Sequence, residues 1–155
     1  MSDGMGGAAH LTVEDAADPG ARAAVLDGLI AFNTARTGPG IFDATPLLVV
    51  LRDGAGAPIG GLVGRNRAGW LYVELLHIPE SHRGQGLGRE ILGRAEEEAR
   101  GRGLTGVWLE TYAFQAPGFY ARMGYTTVGT LPGCPPGQAC HFLAKRLDGA
   151  PLETP

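Results

Sequence analysis

The sequence has no apolar run long enough to cross a bilayer: the longest unbroken stretch, Leu47 to Leu51, falls far short of the ~20 residues that a spanning helix needs. Its start, MSDGMGGAAH, lacks a charged segment followed by an apolar core, so nothing there reads as a secretory leader. A basic surplus is missing as well. The formal charge is -3 with a pI near 5.8, and the 13 Lys and Arg residues are scattered, with only Arg83 to Arg102 mildly enriched. That excludes the basic face by which nucleic-acid binders are known. Cysteine is scarce: Cys134 and Cys140 flank Pro135-Pro136-Gly137, with His141 beside them, and there is no C-x2-C pair. Structural zinc is therefore not indicated and reduced thiols are expected. These absences point to a cytosolic protein without metal, nucleic acid or membrane as partner.

What is present fits one domain over 155 residues, with an ordered core at about 9–148, a frayed start over residues 1–8 and a tail from Asp148. His10-Leu11-Thr12-Val13 alternates and predicts a first short strand. Asp18-Pro19 is a helix start, an N-cap followed by proline at the first helical position. From there Val25, Leu29 and Phe32 share one face, widened by Leu26 and Ile30, so a helix is expected from Pro19 to about Thr34. Arg36 to Thr45 reads as a loop or broken helix. Leu47–Arg52 and Ile59–Arg65 are apolar runs around Asp53 to Pro58, and Asn66-Arg67-Ala68-Gly69 turns into Trp70–Ile78, which predicts a three-stranded meander. The third strand is apolar at nearly every position except Glu74, and is expected to be buried on both faces.

After a short glycine loop, Leu87, Ile91, Leu92, Ala95 and Ala99 make the buried stripe of a helix that Gly103 ends. Glu90 with Arg94, Glu96 with Arg100 and Glu98 with Arg102 are expected on its wet side. Thr105–Tyr112 follows as a strand parallel to Trp70–Ile78, because a strand, helix, strand series makes a right-handed crossover. Pro117 opens a short helix closed by Gly124, and Tyr125–Leu131 and His141–Leu147 complete the sheet.

The loop itself, Arg83-Gly84-Gln85-Gly86-Leu87-Gly88, stands between a strand and a helix N-terminus. Glycines let the backbone approach a ligand closely, and the free N–H groups at a helix start suit phosphate. The spacing excludes two familiar nucleotide loops. No Lys followed by Ser or Thr comes after the glycines, and G-x-G-x-G is not the G-x-G-x-x-G of dinucleotide folds.

This stretch resembles the acyl-CoA site of the GNAT acyltransferase superfamily, whose motif [RQ]-x-x-G-x-[GA] is met at every defined position. Ile78-Pro79 precedes it in the family's manner. Phe114-Gln115-Ala116-Pro117-Gly118-Phe119-Tyr120-Ala121-Arg122-Met123-Gly124-Tyr125 resembles the family's second segment. The resemblance spans about Leu11 to Leu147. It implies an α/β (α+β) GNAT fold, a mixed, mainly antiparallel sheet of six to seven strands with helices on both faces.

It also implies acetyl-CoA as co-substrate, its pyrophosphate on the backbone of Arg83, Gly84, Gln85, Gly86, Leu87, Gly88 and Arg89. The pantetheine arm would lie along Leu76, His77 and Ile78 between two splayed strands, with Gln115, Phe119 and Tyr120 beside it. Tyr120 holds the position of the family's general acid. Glu74, a carboxylate in an apolar strand, ranks first as base acting through water, and Glu110 on the neighbouring strand ranks second; both acids could instead hold a cationic substrate. His77 reads better as packing, and His82 as a loop residue facing solvent. Trp108, Tyr112, Phe114 and Gln115 are candidates to shape the acceptor side. The implied activity is acetyl transfer to a primary amine of a small molecule or peptide by direct attack. The alternatives are a non-catalytic acyl-CoA-binding module or an enzyme using another acyl-CoA. Homodimers are common in that superfamily, but no stretch here marks an interface.

Overall fold

The structure, a computed structural model, describes residues 9–153; the frayed start expected over residues 1–8 lies outside them. The elements are α1 (Pro19–Thr37), β1 (Pro46–Arg52), β2 (Pro58–Arg67), β3 (Trp70–His77), a 3-10 turn (Glu80–His82), α2 (Leu87–Gly101), β4 (Gly106–Tyr112), α3 (Pro117–Arg122), β5 (Thr126–Pro132) and β6 (Ala139–Arg146). Six strands form one sheet in the order β1-β2-β3-β4-β6-β5. Every neighbouring pair is antiparallel except β3 with β4. This is the mixed, mainly antiparallel sheet that the sequence implied.

One face of the sheet carries the core. Ile91, Leu92, Ala95 and Ala99 of α2 are buried with Leu71 and Val73 of β3, Val107 and Leu109 of β4, and Leu143 of β6. The expected stripe of α2 is thus confirmed, and Gly103, at φ 72°, ends the helix in the left-handed conformation. Glu96 departs from expectation. It is buried rather than on the wet side, because β6 brings Lys145 Nζ to 2.8 Å from its Oε2 and Tyr125 donates its hydroxyl to Oε1 at 3.0 Å. Burial and the Glu96 carboxylate push the Tyr125 hydroxyl far above the ordinary phenol range. The exposed pairs Glu90–Arg94 and Glu98–Arg102 form as expected.

Two further expectations fail for one reason. Residues 10–13 form no strand, and Leu11 and Val13 stand fully exposed, since no sheet edge lies alongside to supply ladder partners. β3 is buried on one face only: Leu71 and Val73 are inside, while Leu75 is 65% exposed. Residues 10–13 and α1 leave Leu75 open to solvent, while Tyr72 on the same face is covered only in part, by Trp108 and Arg67. Asp18 caps α1 by accepting from the N–H groups of Gly20 and Ala21 at 2.8 and 3.1 Å, and the helix continues to Thr37, past the expected Thr34. Yet α1 buries none of its residues, and Val25, Leu26, Leu29, Ile30 and Phe32 are all exposed.

Breaking the buried Glu96 group tests this core. Glu96→Ala leaves Lys145 and the Tyr125 hydroxyl without their partner and is expected to cost about 3 kcal/mol in urea denaturation. Glu98→Ala, which removes an exposed i,i+4 pair, should cost under ~0.5 kcal/mol.

Candidate active site

The site begins where a ladder ends. β3 and β4 pair at Leu71–Val107, Tyr72–Trp108 and Val73–Leu109, and at no later position. Beyond that point β3 continues against β2 through Leu75, Leu76 and His77, and β4 continues against β6 through Glu110, Thr111 and Tyr112. The strands therefore fork, and two unpaired backbone edges face each other across the gap. Strand edges of this kind bind extended chains through main-chain hydrogen bonds.

A bulge sharpens the fork. Gly64 lies opposite Val73 and Val63 opposite Leu75, so Glu74 is an extra residue with no β2 counterpart. A bulge bends its strand and re-aims side chains. Glycine permits the tight approach on either side of it: a Cβ on Gly64 would lie 2.7 Å from the Tyr72 carbonyl oxygen, and one on Gly60 would lie 2.6 Å from that of His77. These β2 glycines were not singled out from the sequence, although Gly60-Gly61 and Gly64 inside an apolar strand are the signal of a bulge.

The glycine loop closes the fork at the carboxyl end of β3. Gly84 and Gly86 have φ of 73° and 78°, and a Cβ at either would meet nothing within 4 Å. Glycine is therefore required by backbone conformation, and the space above the loop is open. Gly86 is the N-cap of α2 and supplies no side-chain cap, in contrast to Asp18 on α1. The first N–H groups of α2 therefore have no side-chain acceptor, the arrangement that suits an anion. Gly88 packs differently: a Cβ there would stand 3.2 Å from Ile78 Cδ1 and 3.3 Å from Phe119 Cζ. One contact thus joins the strand end, the loop and α3, bringing together the two motif segments. Arg83 folds back and donates from Nε to the Ile78 carbonyl at 3.0 Å. Leu87 is half-buried, while Gln85 and Arg89 are exposed on the loop and first turn.

Around the fork, Glu74 and Glu110 are the first residues past the last paired positions, Val73 and Leu109. Glu74 is held by Arg65 Nε at 2.9 Å, and Glu110 accepts from the Tyr72 hydroxyl at 3.4 Å. Arg65 and Tyr72 were not foreseen as site residues; their roles emerge only once the β2–β3 register is known. Burial and the Glu110 carboxylate raise the Tyr72 hydroxyl above its ordinary value. The Tyr72 ring stacks on Trp108 at 4.2 Å, and Tyr112 stacks on Phe114 at 5.4 Å, so aromatic surface borders the carboxylates. His77 is exposed, and His82, half-buried, has Nδ1 2.9 Å from the Ser81 hydroxyl.

Tyr120 sits on α3 among the core residues, edge-on to Phe119 and Tyr125, and its burial raises the hydroxyl above the ordinary phenol value. Gln115 accepts from the Thr111 hydroxyl at 3.0 Å and the Tyr112 N–H at 2.9 Å, fixing the turn that leads into α3. A concavity of about 460 Å³ lined by Arg67, Trp70 and Trp108 lies at the opposite end of β3 from the loop, so the cleft of interest is the open fork.

Comparison with known proteins agrees with this geometry. The Acetyltransferase (GNAT) family model matches residues 18–125, more than half of the chain. The chain belongs to the GNAT acetyltransferase family. It is 41% identical over 138 residues to the acetyltransferase Atu2258 of Agrobacterium fabrum, covering 89% of this chain and 99% of that one. It is 42% identical over 111 residues to the blasticidin-S acetyltransferase of Streptomyces morookaense, covering 69% of this chain and 82% of that protein. A crystal structure of an Agrobacterium tumefaciens acetyltransferase superposes with a TM-score of 0.81 at 40% identity, covering 89% and 99% of the two chains. GNAT acetyltransferases use acetyl-CoA and an acceptor.

Gly86→Glu tests the loop. The substitution puts a side chain and a negative charge at a left-handed position over the helix start, and is expected to abolish the thermal shift that coenzyme A gives the wild-type protein.

Proposed function

We propose that the protein transfers the acetyl group of acetyl-CoA to a primary amine of a small molecule, by direct attack within a ternary complex. The observation that carries this reading is the placement of two carboxylates, Glu74 and Glu110, immediately beyond the last β3–β4 pair. The name of the blasticidin-S relative supports a small-molecule acceptor.

In this reading the backbone of Arg83 to Arg89 holds the pyrophosphate, and the free β3 edge at Leu76, His77 and Ile78 pairs with the pantetheine amides. Gln115, Phe119 and Tyr120 border the arm from the α3 side. An alkyl ammonium, with a pKa near ~10.4, must lose a proton before it can attack. Glu74 takes it through water, with Glu110 as the alternative base; Arg65 Nε, 2.9 Å from Glu74 Oε1, holds that carboxylate in place. The amine nitrogen then bonds to the acetyl carbon, whose oxygen is polarised by a backbone N–H near Leu76 or His77. The carbon–sulfur bond breaks, Tyr120 gives its proton to the departing thiolate, and the proton that the nitrogen sheds on becoming an amide passes through water back to Tyr120. Neither cysteine enters this scheme and no metal is called for.

Tyr120→Phe is expected to lower kcat by about a hundredfold while leaving the KM for acetyl-CoA near its wild-type value. Burial keeps Tyr120 protonated beyond the ordinary phenol value of ~10, so its proton-donating form persists to high pH. The alkaline fall in kcat that its ionisation causes should lie above that value in the wild type and be absent from the variant. Comparing Glu74→Gln with Glu110→Gln assigns the base: the larger loss of kcat, with the acid limb of the pH profile removed, marks it. Unchanged rates in both would leave neither as base.

A further inference from the structure

The helix that carries Tyr120 cannot hold itself in place. α3 has six residues, Pro117–Arg122, and no side chain caps its start. A helix this short has no stability alone in water, so its position comes from what it touches. Gln115 fixes the turn before it, and Phe119 rests against Gly88 at the start of α2. The Tyr120 hydroxyl adds nothing to this. Among the described residues none bonds it, yet it is not a sealed, unpartnered group. The ring is enclosed and the hydroxyl tip is open, so the direction of the tip is set by the packing of the ring.

Tyr125, just past the helix, holds that ring. Its N–H donates to the Tyr120 carbonyl at 3.0 Å across the turn at Gly124, where φ is 87°. Its ring meets the Tyr120 ring edge-on, with centroids 5.8 Å apart. Tyr125 is in turn anchored from behind. Its hydroxyl donates to Glu96 Oε1 at 3.0 Å, and Lys145 Nζ donates to Oε1 and Oε2 of the same carboxylate at 3.0 and 2.8 Å. Glu96 stands on α2 and Lys145 on β6, so the anchor is built on two elements of the core. A buried ion pair is seldom a net gain in stability over apolar side chains of the same volume. What this one adds is a directional bond, which fixes the Tyr125 ring at one depth and one rotation as apolar contact does not.

We propose that Tyr125, anchored on Glu96 and Lys145, positions Tyr120 as proton donor. It acts through Tyr120 and exchanges no proton with the substrates. The proposal rests on the acetyl-transfer reading above, in which Tyr120 is the acid.

Tyr125→Phe tests it, since the ring is kept and Glu96 retains both bonds from Lys145. Nuclear magnetic resonance on isotope-labelled tyrosine reads the ring without any acceptor. The chain has four tyrosines, and the Tyr120 signals are identified by their loss in Tyr120→Phe. The two edges of the held ring should give separate signals in the wild type and merged ones in Tyr125→Phe. Thiol release from acetyl-CoA, with the fastest amine from a panel of polyamines, amino acids and aminoglycosides, reads the consequence. Tyr125→Phe should lower kcat about tenfold, as a small misplacement of a catalytic group does, with KM for acetyl-CoA and the coenzyme A thermal shift unchanged. In a Tyr120→Phe chain, where no acid is left to aim, the same substitution should change kcat by less than about twofold, whereas independent losses multiply. Ring signals already merged in the wild type, or still separate in the variant, overturn the proposal. So does a wild-type kcat in Tyr125→Phe beside a slow Tyr120→Phe, or a loss that multiplies fully in the double variant; in these cases the acid assignment stands. A Tyr120→Phe chain as fast as the wild type, or no thiol release with any amine, sinks the functional reading and this proposal with it.

Discussion

The site depends on the early end of one hydrogen-bond ladder. Had β3 and β4 stayed paired past Val73 and Leu109, the sheet would present a closed surface and the glycine loop would sit over backbone already satisfied. Stopping after three positions leaves two strand edges open, aims the Glu74 bulge at the opening, and places Glu110 across from it. The other parts of the site follow. The β2 glycines accommodate the bulge, Arg65 neutralises the carboxylate it exposes, and Gly88 lets Phe119 and Ile78 approach the start of α2.

The two long helices show how the same backbone need is met in different ways. α1 satisfies its first N–H groups with its own Asp18. α2 begins at a glycine in a left-handed conformation and satisfies none of them by a side-chain cap. Bare helix termini attract negative charge, so the uncapped start at the mouth of the open fork is what supports the reading that the donor's phosphates bind there. Glycine-rich composition alone would not make that distinction.

Much of this was legible in the sequence because local rules governed it. The Asp18-Pro19 start, the stripe of α2, the Gly103 and Gly124 stops, the meander and the parallel crossover were each set by patterns a few residues long, and each formed. The motif around Gly84, Gly86 and Gly88 identified the family because its spacing is tied to one loop geometry. What was not legible was set by tertiary context. Glu96 lies at i,i+4 from Arg100 and looks solvated, yet it is buried because Lys145 arrives from a strand far along the chain. The apolar sequence of β3 implied two covered faces and residues 10–13 implied a strand, but cover and pairing depend on where the N-terminal segment stands. Arg65 and Tyr72 became visible only through the register that places them beside the two carboxylates.

The three-position seam between β3 and β4 has a mechanical meaning too. It divides the sheet into two plates, β1-β2-β3 and β4-β6-β5, joined by little main-chain bonding. α2 braces them, packing on β1, β2 and β4 and reaching β6 through Glu96 and Lys145. A deformation that widens or narrows the fork bends no long ladder and breaks few hydrogen bonds, whereas any other distortion of the sheet must. The gap between the plates is therefore the softest coordinate of the sheet, and the brace sets its resting width.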